Sequence, residues 1–140
     1  MNRISIIAGS LLFAATLAAS GQEAGKIDLS KLPPAATKSP ITFAADIKPI
    51  FDKSCVRCHG AEKPKGRLRL DSLAGTLKGS EHGAVLKAGK STESKLVLAV
   101  ARIGADPDEH MPPLRNKAGI EPLTAEQAGL IRAWVDQGAK

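Results

Sequence analysis

The most regular hydrophobic pattern in the chain lies near its C-terminal end. Ala128, Leu130, Ile131, Trp134 and Val135 gather with Gln127 on one side of a helical repeat. Thr124-Ala125-Glu126-Gln127 ahead of them has the form of a capping box, and Gly138 is a natural terminator. Trp134 should anchor this helix against the first one. An earlier apolar face runs through Phe43, Ile47, Ile50 and Phe51, with Thr42 as its N-cap. Pro49 falls inside that face and should kink or split the helix. Leu96, Val97, Val100, Ala101 and Ile103 predict a third helix, opened by Ser91 or Thr92 and ended by Gly104. A short fourth runs from Asp71 or Ser72 to about Lys78, where Gly79 stops it.

Between these faces the pattern breaks down. Arg67-Leu68-Arg69-Leu70 alternates and Gly83 and Gly89 bracket Ala84 to Lys87, so two short extended pieces are expected. Asp106 to Pro113 is a proline-rich loop. Gly21 to Pro40 carries Pro33, Pro34 and Pro40, which rule out a helix through it and suggest a linker or a surface arm.

The first twenty residues stand apart. Asn2-Arg3 is a positive start, Ile4 to Ala19 is apolar or small, and Ala18-Ala19-Ser20 suits signal peptidase. This predicts a signal peptide over 1–20, an arm over 21–41 and one folded domain over 42–140. No cysteine lies near the cleavage point for a lipid anchor, and no later apolar run could span a membrane. The mature protein is expected to be soluble and exported, as in a periplasm; an uncleaved anchor is the alternative.

Twenty basic residues against fourteen acidic ones give a net charge of +6. Seven of the basic residues (Lys48, Lys53, Arg57, Lys63, Lys65, Arg67, Arg69) fall between Lys48 and Arg69, against only Asp52 and Glu62. Nucleic acid is excluded as a partner, because the chain lacks a stacking set of aromatics and any nucleic-acid motif, and is read as exported. The basic stretch is either a solvated face or a surface that steers an acidic redox partner.

That stretch encloses Cys55-Val56-Arg57-Cys58-His59. Two cysteines two residues apart with histidine directly after them read as a c-type haem attachment site. Both thiols must reach one edge of a flat porphyrin, and the next side chain must turn under the ring to bind iron. Haem needs a second axial ligand, and the mature chain holds a single methionine, Met111, in His110-Met111-Pro112-Pro113. Three other readings compete. The cysteines could form a disulfide, although a bridge across so small a loop constrains little. They could be a thioredoxin-like pair, which wants a βαβ context absent from the pattern. They could join His59, His82 or His110 at zinc, which would need ligands from three places. Haem also answers a deficit of bulk, since Phe43, Phe51 and Trp134 are the only aromatics after the signal.

With these residues in view, the chain resembles class I cytochromes c, and more closely the planctomycete and verrucomicrobial cytochrome c domain family. The matching pieces are Asp46 to Phe51, Cys55 to Gly60, Leu68 to Asp71, Asp106 to Asp108, Met111 to Pro113, and Leu123-Thr124 through Trp134 to Ala139. They cover about residues 42 to 139. The resemblance implies an all-α fold of class I cytochrome c type, with at most a short two-stranded β piece, haem between the first and last helices, and His–Met ligation.

The function expected on these grounds is single-electron transfer through one covalently attached haem c. Cys55 and Cys58 would carry the haem, and His59 and Met111 would bind its iron. The other ring nitrogen of His59 should donate to a backbone carbonyl near Pro64. Arg67 and Arg69 are candidates for the haem propionates or for solvent. The partner would be an exported dehydrogenase or a terminal acceptor with an acidic docking face. One alternative is a haem enzyme or gas sensor with a labile distal side, peroxidase-like, using His82 or His110. Another is a docking or sensory haem module serving an attached or co-assembled dehydrogenase.

Overall fold

The computed structural model describes residues 27–140. The expected signal peptide and the first residues of the arm lie outside them. Five α-helices follow in order: α1 Lys48–Ser54, α2 Val56–His59, α3 Leu73–Lys78, α4 Lys95–Val100 and α5 Ala125–Asp136. Among the described residues no strand forms, and only an isolated bridge joins Ser80 to Gly83. The fold is all-α, as expected.

Pro49 does divide the first apolar face. Thr42 accepts from the Ala45 N–H and opens a widened π turn, Phe43–Ile47, in which the Lys48 N–H reaches back to the Phe43 carbonyl. Pro49 then sits in the first turn of α1, where a missing N–H costs nothing. The change of winding keeps Phe43, Ile47, Ile50 and Phe51 all buried.

Those residues pack against α5. Phe43, Phe51 and Trp134 form one cluster, with ring centroids 5.8 to 6.4 Å apart. Phe51 meets both of the others edge-on, an arrangement favoured by the ring quadrupoles. Every aromatic ring of the described residues is in this cluster. The buried indole N–H of Trp134 donates to the Lys140 carbonyl at 2.9 Å, and the Phe43 N–H donates to the same oxygen. Around the rings lie Ile47, Val97, Val100, Ile131 and Val135.

α5 starts with the capping box expected of it, Thr124 and Gln127 each accepting from the other's backbone. Gln127 therefore serves the cap. Ser91 latches the preceding loop onto the end of α5, its N–H and hydroxyl both donating to Asp136 at 2.9 Å. The arm lies along the same helix: the Ala36 N–H donates to the Gly129 carbonyl, and Arg132 donates to that of Pro33 at 2.8 Å.

Three expectations need correction. The third helix is much shorter than its apolar pattern. A 3₁₀ turn, Ser91–Glu93, precedes α4, and the helix stops at Val100 because Arg102 adopts a left-handed φ of 58°. The expected extended pieces, Arg67–Leu70 and Ala84–Lys87, do not pair as strands, although Leu68 itself is extended at φ −82° and ψ 123°. Arg67 ends a 3₁₀ turn, and Leu70 instead sends its N–H to the His59 carbonyl at 2.8 Å. Finally, the proline-rich loop is not wholly irregular, since Asp106 caps a 3₁₀ turn over Pro107–Glu109.

Candidate functional site

Cys55 is the hinge between α1 and α2. Its own N–H donates to Phe51, and its carbonyl accepts from both Cys58 and His59, at 3.0 and 2.9 Å. The two cysteines thus fall three positions apart on one helical turn, a spacing that sets side chains on the same face. Both are free thiols. Cys55 is buried in the core beside α4 and α5 residues, whereas Cys58 is half-buried. Burial, with a smaller contribution from neighbouring Cys58, pushes the Cys55 thiol up to about 12. It is thus a protonated thiol at neutral pH, unlike the low-pKa thiol of a redox pair.

The residues after His59 form a loop closed by the bond from the Leu70 N–H to the His59 carbonyl. Gly60 makes the closure possible. A Cβ there would lie 2.6 Å from the Val56 carbonyl oxygen. Inside the loop, the Nδ1 atom of His59 is 3.1 Å from the Lys65 carbonyl oxygen. A carbonyl only accepts, so Nδ1 carries the proton and Nε2 keeps a lone pair. Burial lowers the pKa of the ring and outweighs the opposing hydrogen bonds, which favours this neutral form. The acceptor directly follows Pro64, the region expected from the sequence.

Met111 belongs to a different part of the structure. It is half-buried, followed by buried Pro112, and its N–H donates to the carbonyl of Ala99 at the end of α4 at 3.0 Å. No hydrogen bond ties it to the cysteine–histidine turn among the described residues. The two parts meet through the core, which holds Cys55 together with Leu96, Val97 and Val100 of α4.

The other histidines stand elsewhere. His110 has Nε2 against the Gly104 carbonyl at 3.0 Å, and the His82 side chain is 81% exposed beside Glu81. No three His, Cys, Asp or Glu side chains among the described residues could hold a metal ion together. The zinc reading therefore lacks its site there. Arg69 is engaged by Asp71 through two bonds of 2.9 and 2.6 Å, and Arg67 approaches Glu81 at 3.8 Å. With Ser72, Ala74, Gly75 and Lys78 the two arginines line an open depression of about 250 Å³.

The arrangement fits a haem. It offers two unbridged thiols on one turn and, beside them, a neutral imidazole whose Nδ1 is held by the Lys65 carbonyl. Several apolar side chains, among them Val56, Leu68, Leu73, Val85, Leu86 and Ile103, pack against the core while only partly covered. Such surface suits the face of a porphyrin. Sequence reasoning reached the carbonyl next to Pro64 but missed two residues that hold this chemistry in place, Gly60 and Arg102. Gly60, directly after the motif, was the one visible signal.

No helix of the described residues is long and apolar enough to cross a membrane. No curated protein and no solved structure matches the chain. Residues 55–114 match the family described as Planctomycete cytochrome C. That interval opens on Cys55, contains Cys58, His59 and Met111, and closes on Leu114. This chain therefore carries a cytochrome c domain of the planctomycete family, whose cofactor is covalently bound haem c.

Proposed function

We propose that the protein is an exported carrier of single electrons with one haem, bound through Cys55 and Cys58 and ligated by His59 and Met111. The observation that carries this reading is the bond from His59 Nδ1 to the Lys65 carbonyl. It leaves Nε2 as the metal-binding nitrogen on the residue next to the second thiol. Bound haem supplies a one-electron iron couple. The chain's own part would be to supply both protein ligands, His59 and Met111, so that no position would be left open to other ligands. His59 does this as a neutral, oriented imidazole. The thioether of Met111 is soft, favours ferrous iron and raises the potential relative to a second histidine.

Two observations favour Met111 over a histidine as the second ligand. His82 is solvent-exposed, and His110, with Nε2 facing the Gly104 carbonyl, has only Nδ1 left for a metal. The same observations weigh against a peroxidase-like or gas-binding site with a distal histidine. The partner in this reading is a redox protein with an acidic docking face, either an exported dehydrogenase or a terminal acceptor.

The test is production with a cytochrome c maturation system. The protein should stay red after acid–acetone extraction, gain the mass of one haem and show a low-spin ferric spectrum with the weak red band of an iron–sulfur bond. Met111→Ala should abolish that band, while His82→Ala and His110→Ala should leave it. Haem lost to the solvent would end the reading. A band that survived Met111→Ala would end the ligand assignment.

A further inference from the structure

The residues around Met111 are tied on both sides to one short segment, Ala99 to Gly104. Before it, His110 Nε2 meets the Gly104 carbonyl at 3.0 Å. At Met111 itself, the N–H donates to the Ala99 carbonyl. After it, the guanidinium of Arg102 donates through Nη1 to the Pro112 carbonyl at 2.8 Å.

Of these three ties, that from Arg102 is made by a guanidinium, a donor that keeps its charge at every accessible pH. Its acceptor belongs to a buried residue, and Arg102 itself is half-buried, so water competes poorly for the bond. Arg102 also holds an unusual backbone. Its φ of 58° lies in the left-handed region that non-glycine residues seldom enter. That conformation ends α4 and turns the chain toward the loop. The Arg102 N–H donates to the Ala99 carbonyl, the oxygen that also receives Met111. One residue thus terminates the helix with its backbone and holds the loop with its side chain.

We propose that Arg102 is the positioning residue for the methionine side of the site. It fixes the Pro112 carbonyl so that Met111 is held at one place regardless of the charge on the metal. The inference rests on the reading of Met111 as a ligand. In that setting the bond acts by preorganisation. Without it, Met111 would have to be ordered each time it bound, and added ligands would compete with it more successfully.

The experiment compares Arg102→Gly, Arg102→Lys and Met111→Ala in the haem-loaded protein. Glycine suits a φ of 58°, so Arg102→Gly removes the guanidinium and spares the turn. It should weaken or abolish the red iron–sulfur band. It should also raise the apparent affinity of the ferrous protein for carbon monoxide roughly ten- to hundred-fold, the effect expected from losing a charged donor to a buried carbonyl. Arg102→Lys, which keeps a cationic donor, should recover part of both properties. Circular dichroism checks that all variants keep their helices.

If Met111→Ala removes the band while Arg102→Gly leaves band and carbon monoxide affinity as in the parent, the positioning role is refuted. Equal losses in Arg102→Gly and Arg102→Lys would refute it as well, because the loss would then come from the substitution itself and not from the missing cationic donor. If Met111→Ala leaves the band, the ligand reading fails first, and the role of Arg102 falls with it.

Discussion

His59 points Nδ1 at the carbonyl oxygen of Lys65, 3.1 Å away and six residues further along the chain. That contact places the proton on Nδ1, and Leu68 supplies a second backbone carbonyl close to the ring. A carbonyl acceptor also raises the basicity of a ligating imidazole. The loop that delivers the carbonyl depends on Gly60. The first prediction is that Gly60→Ala, whose new methyl would lie 2.6 Å from the Val56 oxygen, displaces the loop. The cost should be about 1–3 kcal/mol, as for other overpacked positions, read as a lower denaturation midpoint of the holoprotein. The reduction potential should rise, because a weaker bond to Nδ1 makes His59 a poorer donor to ferric iron. An unchanged potential would show that the loop does not control the ring.

A second glycine yields a prediction opposite to the usual rule. Replacing glycine by alanine inside a helix normally stabilises it by about 1 kcal/mol. Gly129 lies in the interior of α5, yet a Cβ there would sit 2.3 Å from the Pro34 carbonyl oxygen. Gly129→Ala should therefore destabilise the protein, by roughly 1–3 kcal/mol, and push the arm away from α5. Limited proteolysis should then cut faster between residues 27 and 41. A more stable variant with an unchanged cutting rate would mean that the arm yields at no cost.

What could be read from the sequence was what is local. The capping box of α5, the Ser72 cap of α3 and the break at Pro49 depend on neighbours within a turn, and all three formed. Trp134 was legible too, because a chain with so few aromatics has little choice of core. The end of α4 was not. Its apolar spacing continues through Ala101 and Ile103, and periodicity carries no sign of the left-handed turn at Arg102. The bonds from His59 to Lys65 and from Arg102 to Pro112 use backbone carbonyls, to which any residue contributes equally. Gly129 was a clue that went unread, a glycine in the middle of the most regular helix.

The tie between the arm and the first helical segment should respond to pH. The Asp46 carboxylate takes Lys38 from the arm and the N–H of Thr42, at the start of the first helical segment. The Lys38 ammonium first, and the Thr42 N–H second, hold its pKa below the usual 3.8. A depressed carboxylate stabilises the folded state above the unfolded pKa and loses that contribution as pH falls through the folded one. Asp46→Asn should therefore be less stable than the parent at neutral pH. The gap should close as pH drops below about 3.8. Denaturation midpoints measured across that range decide it. A gap independent of pH would mean that the carboxylate charge is not what ties the arm.

The last prediction concerns how the protein meets its partner. Of the seven basic residues between Lys48 and Arg69, Lys48 is paired with Asp52, Arg69 with Asp71, and Arg67 lies near Glu81. Lys53, Arg57, Lys63 and Lys65 are exposed and have no ion-pair partner among the described residues. All four lie within six residues of Cys58 or His59 in the sequence, against the single exposed carboxylate of Glu62, so net positive charge is concentrated in the chain next to the attachment turn. Transient redox interfaces are small, below about 1,200 Å², and offer little room for apolar anchoring. Encounter would then depend on long-range attraction, which is screened over about 10 Å at 0.1 M salt. Electron transfer to an acidic partner should slow steeply as salt rises. Lys53→Glu with Lys65→Glu should slow it further at low salt and leave the potential nearly unchanged. The control is Lys95→Glu with Lys117→Glu, two exposed lysines that also lack a partner among the described residues. It alters the net charge equally, but far along the chain from the cysteines. Stopped-flow rates across a salt series separate the cases. If both double variants slow transfer alike, only net charge matters; if the first alone does, the partner docks over the attachment turn.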